Sequence, residues 1–165
     1  EMRSAAESLS AAESSRTGHT VCTTIHINSC ESTYRRMMTL AKRKYNMDDS
    51  ILMQIMVEAY PVVVFTKQLE DRSRKIMEII EGEDYLDGKL VYRSLYKYEV
   101  VDNVTDEHGA AHVVGRHRKM EAMSETLKKR LLDNGISHKE LQEFLETGPP
   151  RKGTSGKRTP GKEVE

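Results

Sequence analysis

The longest apolar run in this chain spans residues 61–65, with the sequence PVVVF, and it limits what the chain can fold into. Three consecutive β-branched residues favour a buried strand over a helix. A helix that crosses a bilayer needs about 18 apolar residues or more, so the sequence predicts no membrane span. Residues 20–27 are also rich in β-branched side chains and predict a second buried strand.

Apolar side chains that recur every three or four residues predict helices before and after this central stretch, and the Ala- and Glu-rich composition of residues 4–15 predicts a helix there. The predicted helices cover residues 4–15, 29–45, 48–60, 120–132 and 137–145. In the second of them, Arg35 and Arg36 fall mostly on the polar side, which is typical of a solvated helix face. Between the helices, turn signals at residues 69–73 and at Asp87-Gly88 predict antiparallel hairpins.

The predicted fold class is α/β, with antiparallel hairpins and a short helical C-terminal end. We expect residues 1–101 to form the core, residues 102–118 an irregular loop or irregular hairpin, and residues 119–147 the C-terminal helices. From residue 148 the sequence changes to Pro, Gly, Ser, Thr, Lys and Arg. Such a segment buries too little apolar surface to offset the entropy of ordering, so residues 148–165 predict a disordered basic tail.

Charge and cysteine content exclude some functions. The chain has 26 basic and 26 acidic side chains, so no global positive field gathers phosphates, and no direct nucleic-acid partner is predicted. Cys22 and Cys30 make no disulfide framework, and free thiols suit a reducing cytosol. We expect Cys22 to be a small buried hydrophobe. The spacing of His108, His112 and His117 is irregular and does not favour a metal site.

Three short motifs follow one another in the first 29 residues: EMR at residues 1–3, TGH at residues 17–19 and TIHINS at residues 24–29. In these motifs the chain resembles the secretion ATPases of type II and type IV systems and of pilus assembly, and it is most similar to the CpaF/TadA-like branch. In that family the first motif belongs to the Walker B region and the third is the His box. The resemblance continues loosely to about residue 81 and weakly at residues 127–131.

The resemblance implies the C-terminal part of a RecA-like P-loop NTPase core that uses ATP and Mg²⁺. It makes Glu1 the catalytic glutamate, which also holds Mg²⁺ through a water, and His26 a catalytic residue that contacts or senses the nucleotide. Both roles are chemically sensible, since a carboxylate can orient a water and an imidazole can donate to a phosphate oxygen. The resemblance further implies nucleotide contacts from Arg3, Thr17, Gly18 and His19.

The sequence also departs from the family pattern. Family members usually carry an acid five residues after the Walker B glutamate, but Ala6 stands there and Glu7 follows it. No Gly-x-x-x-x-Gly-Lys-Ser/Thr loop occurs in a strand–helix context. We expect that loop, an acidic segment and an arginine-supplying domain to lie upstream of Glu1. The chain alone should therefore hydrolyse ATP negligibly, and the strand that carries His26 should leave an unpaired edge that favours association.

Two classes of function remain open. The resemblance implies a fragment of a homo-hexameric ATPase at the cytoplasmic face of the inner membrane, bound to a platform protein there. Such an ATPase would power protein secretion, pilus assembly or conjugative transfer. The alternative is a non-catalytic interaction module that lacks the phosphate-binding loop. A weaker reading is a small α/β protein that only looks similar.

Overall fold

The computed structural model describes residues 1–146, in which three helices precede a four-stranded sheet and two short helices follow it. The helices are α1 (Ala5–Arg16), α2 (Cys30–Lys42), α3 (Asp49–Ala59), α4 (Glu125–Asp133) and α5 (His138–Glu146). The strands are β1 (Val62–Gln68), β2 (Arg74–Leu86), β3 (Lys89–Thr105) and β4 (Ala111–Lys119). Within the described part of the chain, no helix combines the length and the apolar character needed to cross a membrane.

The sheet is an antiparallel meander in the order β1-β2-β3-β4, so each strand pairs with its neighbours in sequence. This confirms the predicted α/β class and the predicted hairpins. Asp87 and Gly88 form the β2–β3 turn with positive φ angles of 50° and 76°, as expected for a tight hairpin. All pairings within residues 1–146 are antiparallel, and the RecA-like core stays a prediction.

Side-chain caps explain where α1 and α5 begin. Ser4 Oγ accepts a hydrogen bond from Glu7 N at 3.2 Å, and Glu7 Oε2 accepts from Ser4 N at 2.8 Å and from Arg3 N at 2.7 Å. The acid that is displaced by one residue from the family pattern therefore caps α1. The predicted capping box at Ser137 and Glu140 is confirmed, with Glu140 N donating to Ser137 Oγ at 3.2 Å.

The main core lies between α1–α3 and one face of the sheet. It is filled chiefly by aliphatic, methionine and tyrosine side chains, among them Tyr34, Met37, Leu52, Met56 and Ile80. These positions confirm the apolar stripes predicted for α2 and α3. Methionine adapts to irregular gaps, which suits a core with few aromatic rings.

A close contact in this core joins α2 to β2. Tyr34 is fully buried, and its hydroxyl donates to Tyr60 O at 2.7 Å. Its ring lies against the backbone of Gly82, where an added Cβ would overlap the Tyr34 hydroxyl oxygen and lie 2.9 Å from Tyr34 Cζ. Gly82 is therefore needed for its lack of a side chain, because α2 could not otherwise approach the sheet this closely.

A smaller core attaches α4 and α5 to β3. It contains Leu95, Tyr96, Met123, Leu127 and Leu141. A polar contact accompanies it, since the buried carboxylate of Glu81 accepts hydrogen bonds from Ser124 N at 2.8 Å and from Ser124 Oγ. Ser124 also caps α4 by accepting from Leu127 N at 3.0 Å. One short segment thus starts the helix and fixes it to the sheet.

Three sequence predictions need correction. Residues 20–27 are extended but form no strand, since within residues 1–146 their one backbone hydrogen bond runs from Met2 N to Thr24 O. Of the two alternatives for residues 102–118, the hairpin is present and the loop is not, and the hairpin is regular because β3 and β4 pair in register there. Both faces of this hairpin are largely exposed, so its sequence shows little alternation of apolar and polar residues. Helix α4 starts at Glu125 rather than at Met120, whose backbone N instead donates to Leu95 O. The predicted tail, residues 148–165, and residue 147 lie outside the described residues.

Candidate functional site

The structure brings two of the three predicted motifs into contact at Glu1. The carboxylate oxygen Glu1 Oε2 accepts a hydrogen bond from Arg3 Nη2, and Glu1 Oε1 lies 3.2 Å from His26 Nε2. The backbone places these groups, because Met2 is buried and its N–H donates to Thr24 O at 2.8 Å. A carboxylate, a guanidinium and an imidazole therefore meet at one edge of the molecule.

The extended backbone of residues 21–28 determines which way His26 points. Side chains at the odd-numbered positions are half-buried, whereas Cys22, Thr24, His26 and Asn28 are exposed. The His26 side chain is 93% exposed and that of Glu1 is 28% exposed. The expectation that Cys22 is buried is wrong, because this alternation places it on the solvent side.

The charge state of the site follows from its contacts. The hydrogen bond from Arg3 is the largest cause that holds the pKa of the Glu1 carboxyl below its ordinary value, and the charges of Arg3 and His26 lower it further. Glu1 is therefore an anion at neutral pH. An ionised carboxylate accepts hydrogen bonds and cannot donate them, so Glu1 is suited to hold a water or to accept a proton from one.

A cleft of about 550 Å³ opens beside Glu1 and His26. One wall is the extended segment 21–27, and the other is formed by residues 62–66 of β1. Most of the other residues along the cleft are apolar or uncharged, including Thr33, Met37 and Tyr60. Glu1 and His26 both border this cleft and contact each other. Acid–base chemistry at the cleft would therefore take place at these two side chains.

The third motif lies at the opposite end of α1. Helix α1 has twelve residues and is about 18 Å long, which separates Thr17, Gly18 and His19 from Glu1. Gly18 has a φ of 95° at the end of this helix, and His19 N donates to Ser14 O at 3.2 Å. The structure does not bring these three residues together with Glu1, Arg3 and His26, and their contact with a nucleotide stays a prediction.

The donor set bears on metal binding. Within residues 1–146, no group of three or more His, Cys, Asp or Glu side chains is arranged to hold a metal ion. His112 Nε2 lies 2.9 Å from Asp106 Oδ2, and His117 Nε2 lies 2.9 Å from Ile76 O, so these two imidazoles have separate partners. The single carboxylate of Glu1 fits a water-mediated contact, because protein-bound Mg²⁺ usually keeps several waters beside phosphate oxygens.

A second concavity, which the sequence did not predict, lies next to the cleft. It measures about 450 Å³ and is lined by His26, Ile27, Asn28, Ser32 and Arg36. His26 belongs to both, so the concavity adjoins the Glu1 contact. The sequence gives only a weak signal for this concavity. His26 and Asn28 are two residues apart in an extended segment, and Ser32 and Arg36 are four residues apart on the helix that follows.

The mixed α/β fold, with an acid and a histidine in contact at one edge, is compatible with a nucleotide-hydrolysing protein. Residues 1–143 match the family model described as type II/IV secretion system protein. The chain therefore belongs to the type II/IV secretion system protein family, and this membership suggests ATPase activity. No curated protein matches the chain. The family predicted from the motifs is confirmed, whereas the CpaF/TadA-like branch stays a prediction.

Proposed function

We propose that this chain contributes the catalytic-glutamate side of the ATP site in a hexameric secretion ATPase. The observation that carries the proposal is the 3.2 Å contact between Glu1 Oε1 and His26 Nε2, which joins the Walker B-like and His-box-like motifs. Membership of the type II/IV secretion system family supports ATP as the nucleotide. The ring would be built from six copies of the complete subunit.

Each side chain has a defined task in this proposal. Ionised Glu1 accepts a hydrogen bond from the attacking water or from a water on Mg²⁺, and Arg3 holds the carboxylate in place. His26 donates to a phosphate oxygen and is sensitive to loss of the γ-phosphate. When bound, Mg²⁺ neutralises negative charge on the phosphates. Because α1 separates Thr17, Gly18 and His19 from Glu1, these three residues would contact nucleotide at another position in the ring and not beside Glu1.

A complete site requires groups that these 165 residues do not contain. The sequence has no phosphate-binding loop in a suitable context, so we propose that the loop is supplied from outside these residues in the assembled ATPase. The isolated chain then turns over ATP negligibly. The assembled ring acts at the cytoplasmic face of the inner membrane, on a platform protein, in protein secretion, pilus assembly or conjugative transfer.

Turnover by the assembled ATPase that includes the phosphate-binding loop tests the proposal. Glu1→Gln should lower kcat by about 100-fold or more, which is the usual range for losing a positioned base. His26→Ala should lower it by about tenfold or more. Glu13→Gln and His138→Ala are matched controls, because both side chains are exposed and lie away from the contact. They should leave turnover unchanged.

Two results would contradict the proposal. Unchanged turnover in Glu1→Gln would remove the glutamate from the mechanism. Failure of the assembled protein to bind ATP at all would favour the non-catalytic interaction module.

A further inference from the structure

We propose that the concavity between His26 and Arg36 binds a phosphate group of the nucleotide, with Arg36 as its principal cationic ligand. The ligand class rests on the proposed function, whereas the anion site rests on the geometry described below. Neither the sequence motifs nor the family match assigns a role to Arg36. The concavity shares His26 and Ile27 with the cleft that Glu1 borders.

The backbone places the polar side chains of the concavity on two facing walls. His26 and Asn28 are two residues apart in an extended segment and therefore point to the same side. Ser32 and Arg36 are four residues apart on α2 and therefore share a helix face. Ser29 joins the two walls as the N-cap of α2, which fixes the angle between them.

The charge balance of the concavity favours an anion. Its five lining residues include one guanidinium, one imidazole and one side-chain amide, and none of them is acidic. Ser32 has a structural task, because its hydroxyl donates to Ser29 O at 2.8 Å within the cap. The donors that remain are those of Arg36, Asn28 and His26. The planar guanidinium of arginine is the side chain that best matches two phosphate oxygens at once.

Arg36 differs from the arginine beside it. Arg35 lies 3.9 Å from Glu31, four residues earlier on the same helix, and does not line the concavity. The Arg36 side chain is exposed and forms no ion pair or hydrogen bond with another group of residues 1–146. A guanidinium that borders a concavity without an acidic partner is available for an external anion.

His26 links this site to Glu1. Its Nε2 lies 3.2 Å from Glu1 Oε1, which leaves Nδ1 as the ring nitrogen that can donate to a phosphate; an imidazole ring protonated on both nitrogens donates to both anions at once. A phosphate held by Arg36 would thus lie one side chain away from the carboxylate. This arrangement gives the proposed sensing role of His26 a physical basis, because departure of the phosphate removes one of its two anionic partners.

Titration of the ¹⁵N-labelled full chain with sodium tripolyphosphate, without metal, tests the inference by amide chemical shifts. We expect concentration-dependent shifts centred on residues 26–28 and 32–36. Arg36→Ala should raise the dissociation constant by about tenfold, the usual loss for one charge-assisted contact. Arg35→Ala is the matched control and should change the constant less than about twofold, because a rim charge outside the site contributes little. Arg36→Lys should give an intermediate value, since it keeps the charge and loses the fork.

Several results would overturn the inference. One is an equal loss of affinity in Arg35→Ala and Arg36→Ala, which would indicate general attraction to a basic helix face. Another is an absence of shifts at residues 26–36 at concentrations that shift other amides. A third is an identical shift pattern with adenosine alone, because no phosphate would then be involved.

The two proposals fail separately. Tripolyphosphate binding that depends on Arg36, together with normal turnover in Glu1→Gln, would refute the catalytic role of Glu1 and leave the anion site standing. Loss of turnover in Glu1→Gln without Arg36-dependent binding would refute the anion site alone.

Discussion

The contact between Tyr34 and Gly82 allows one substitution to be worked through in detail. Gly82→Ala adds a Cβ that overlaps the Tyr34 hydroxyl oxygen and lies 2.9 Å from Tyr34 Cζ. The ring cannot move away easily, because Tyr34 is fully buried and its hydroxyl is bound to Tyr60 O at 2.7 Å. The substitution therefore forces α2 away from β2 or breaks that hydrogen bond.

Two opposing effects decide the sign. Replacing glycine with alanine restricts the unfolded chain and stabilises the fold by about 0.4–1 kcal/mol where the native backbone permits it. Overpacking a tight core costs about 1–3 kcal/mol, and loss of the tyrosine hydrogen bond adds about 1 kcal/mol. The clash is the larger effect, so we expect a net destabilisation of about 1–3 kcal/mol. For a chain of this size each kcal/mol lowers Tm by about 2–4 °C.

Chemical denaturation of a double-mutant cycle tests this reasoning. Tyr34→Phe removes the nearest clashing atom, so Gly82→Ala should cost at least about 1 kcal/mol less in that background than in the wild type. Gly88→Ala is the control, because among the described residues only its own chain neighbours approach the added Cβ within 4 Å, and its φ of 76° gives a strain independent of Tyr34. Equal costs of Gly82→Ala in both backgrounds would refute the clash.

Two further predictions concern groups outside this contact. Burial raises the pKa of the Cys30 thiol to about 12, so iodoacetamide at pH 8 should label exposed Cys22 and spare Cys30 until the protein unfolds; mass spectrometry reads both sites, and equal labelling of the folded protein would contradict the buried position. The hydrogen bond from His112 is the largest cause that lowers the pKa of Asp106 in the β3–β4 turn. The stabilisation of the turn by ionised Asp106 is therefore fully present above the ordinary aspartate pKa and is lost as the pH falls through the lowered pKa of Asp106. A ¹³C-NMR titration should show a higher Asp106 pKa in His112→Ala than in the wild type. An unchanged Asp106 pKa would exclude the contact.

Much of the fold could be predicted because local signals and burial agree. Helices α1, α2, α3 and α5 begin with side-chain caps, and α2 and α3 also carry apolar stripes. Strand β1 is a short β-branched run that follows Pro61 and ends before a turn signal. For residues 102–118 the sequence predicts only an irregular loop or an irregular hairpin, because a ladder with two exposed faces carries no period of two in hydrophobicity. Residues 20–27 have strand composition, but within residues 1–146 one backbone hydrogen bond gives them no ladder.

The site could be predicted only in part. Glu1 and His26 stand in ordered motifs, and the structure places them in contact. The separation of His19 from Glu1 depends on the length and direction of α1, which motif order does not specify. From the sequence, Arg36 looks like part of a solvated helix face. What distinguishes it is that it borders a concavity, and that concavity is formed jointly by α2 and the extended segment before it. That information exists only once the angle between the elements is fixed.

The meander has a consequence for how the protein is made. Because strand order follows chain order within residues 1–146, each strand there pairs with the strand next to it in the chain, and each loop closure between partners carries a small entropic penalty. The three helices that cover the sheet precede it and leave the ribosome first. During synthesis, β1 can therefore pack on helices that are already outside the exit tunnel, and each later strand can pair with the one before it as it emerges. This order shortens the time during which an unpaired sheet edge is exposed to other chains.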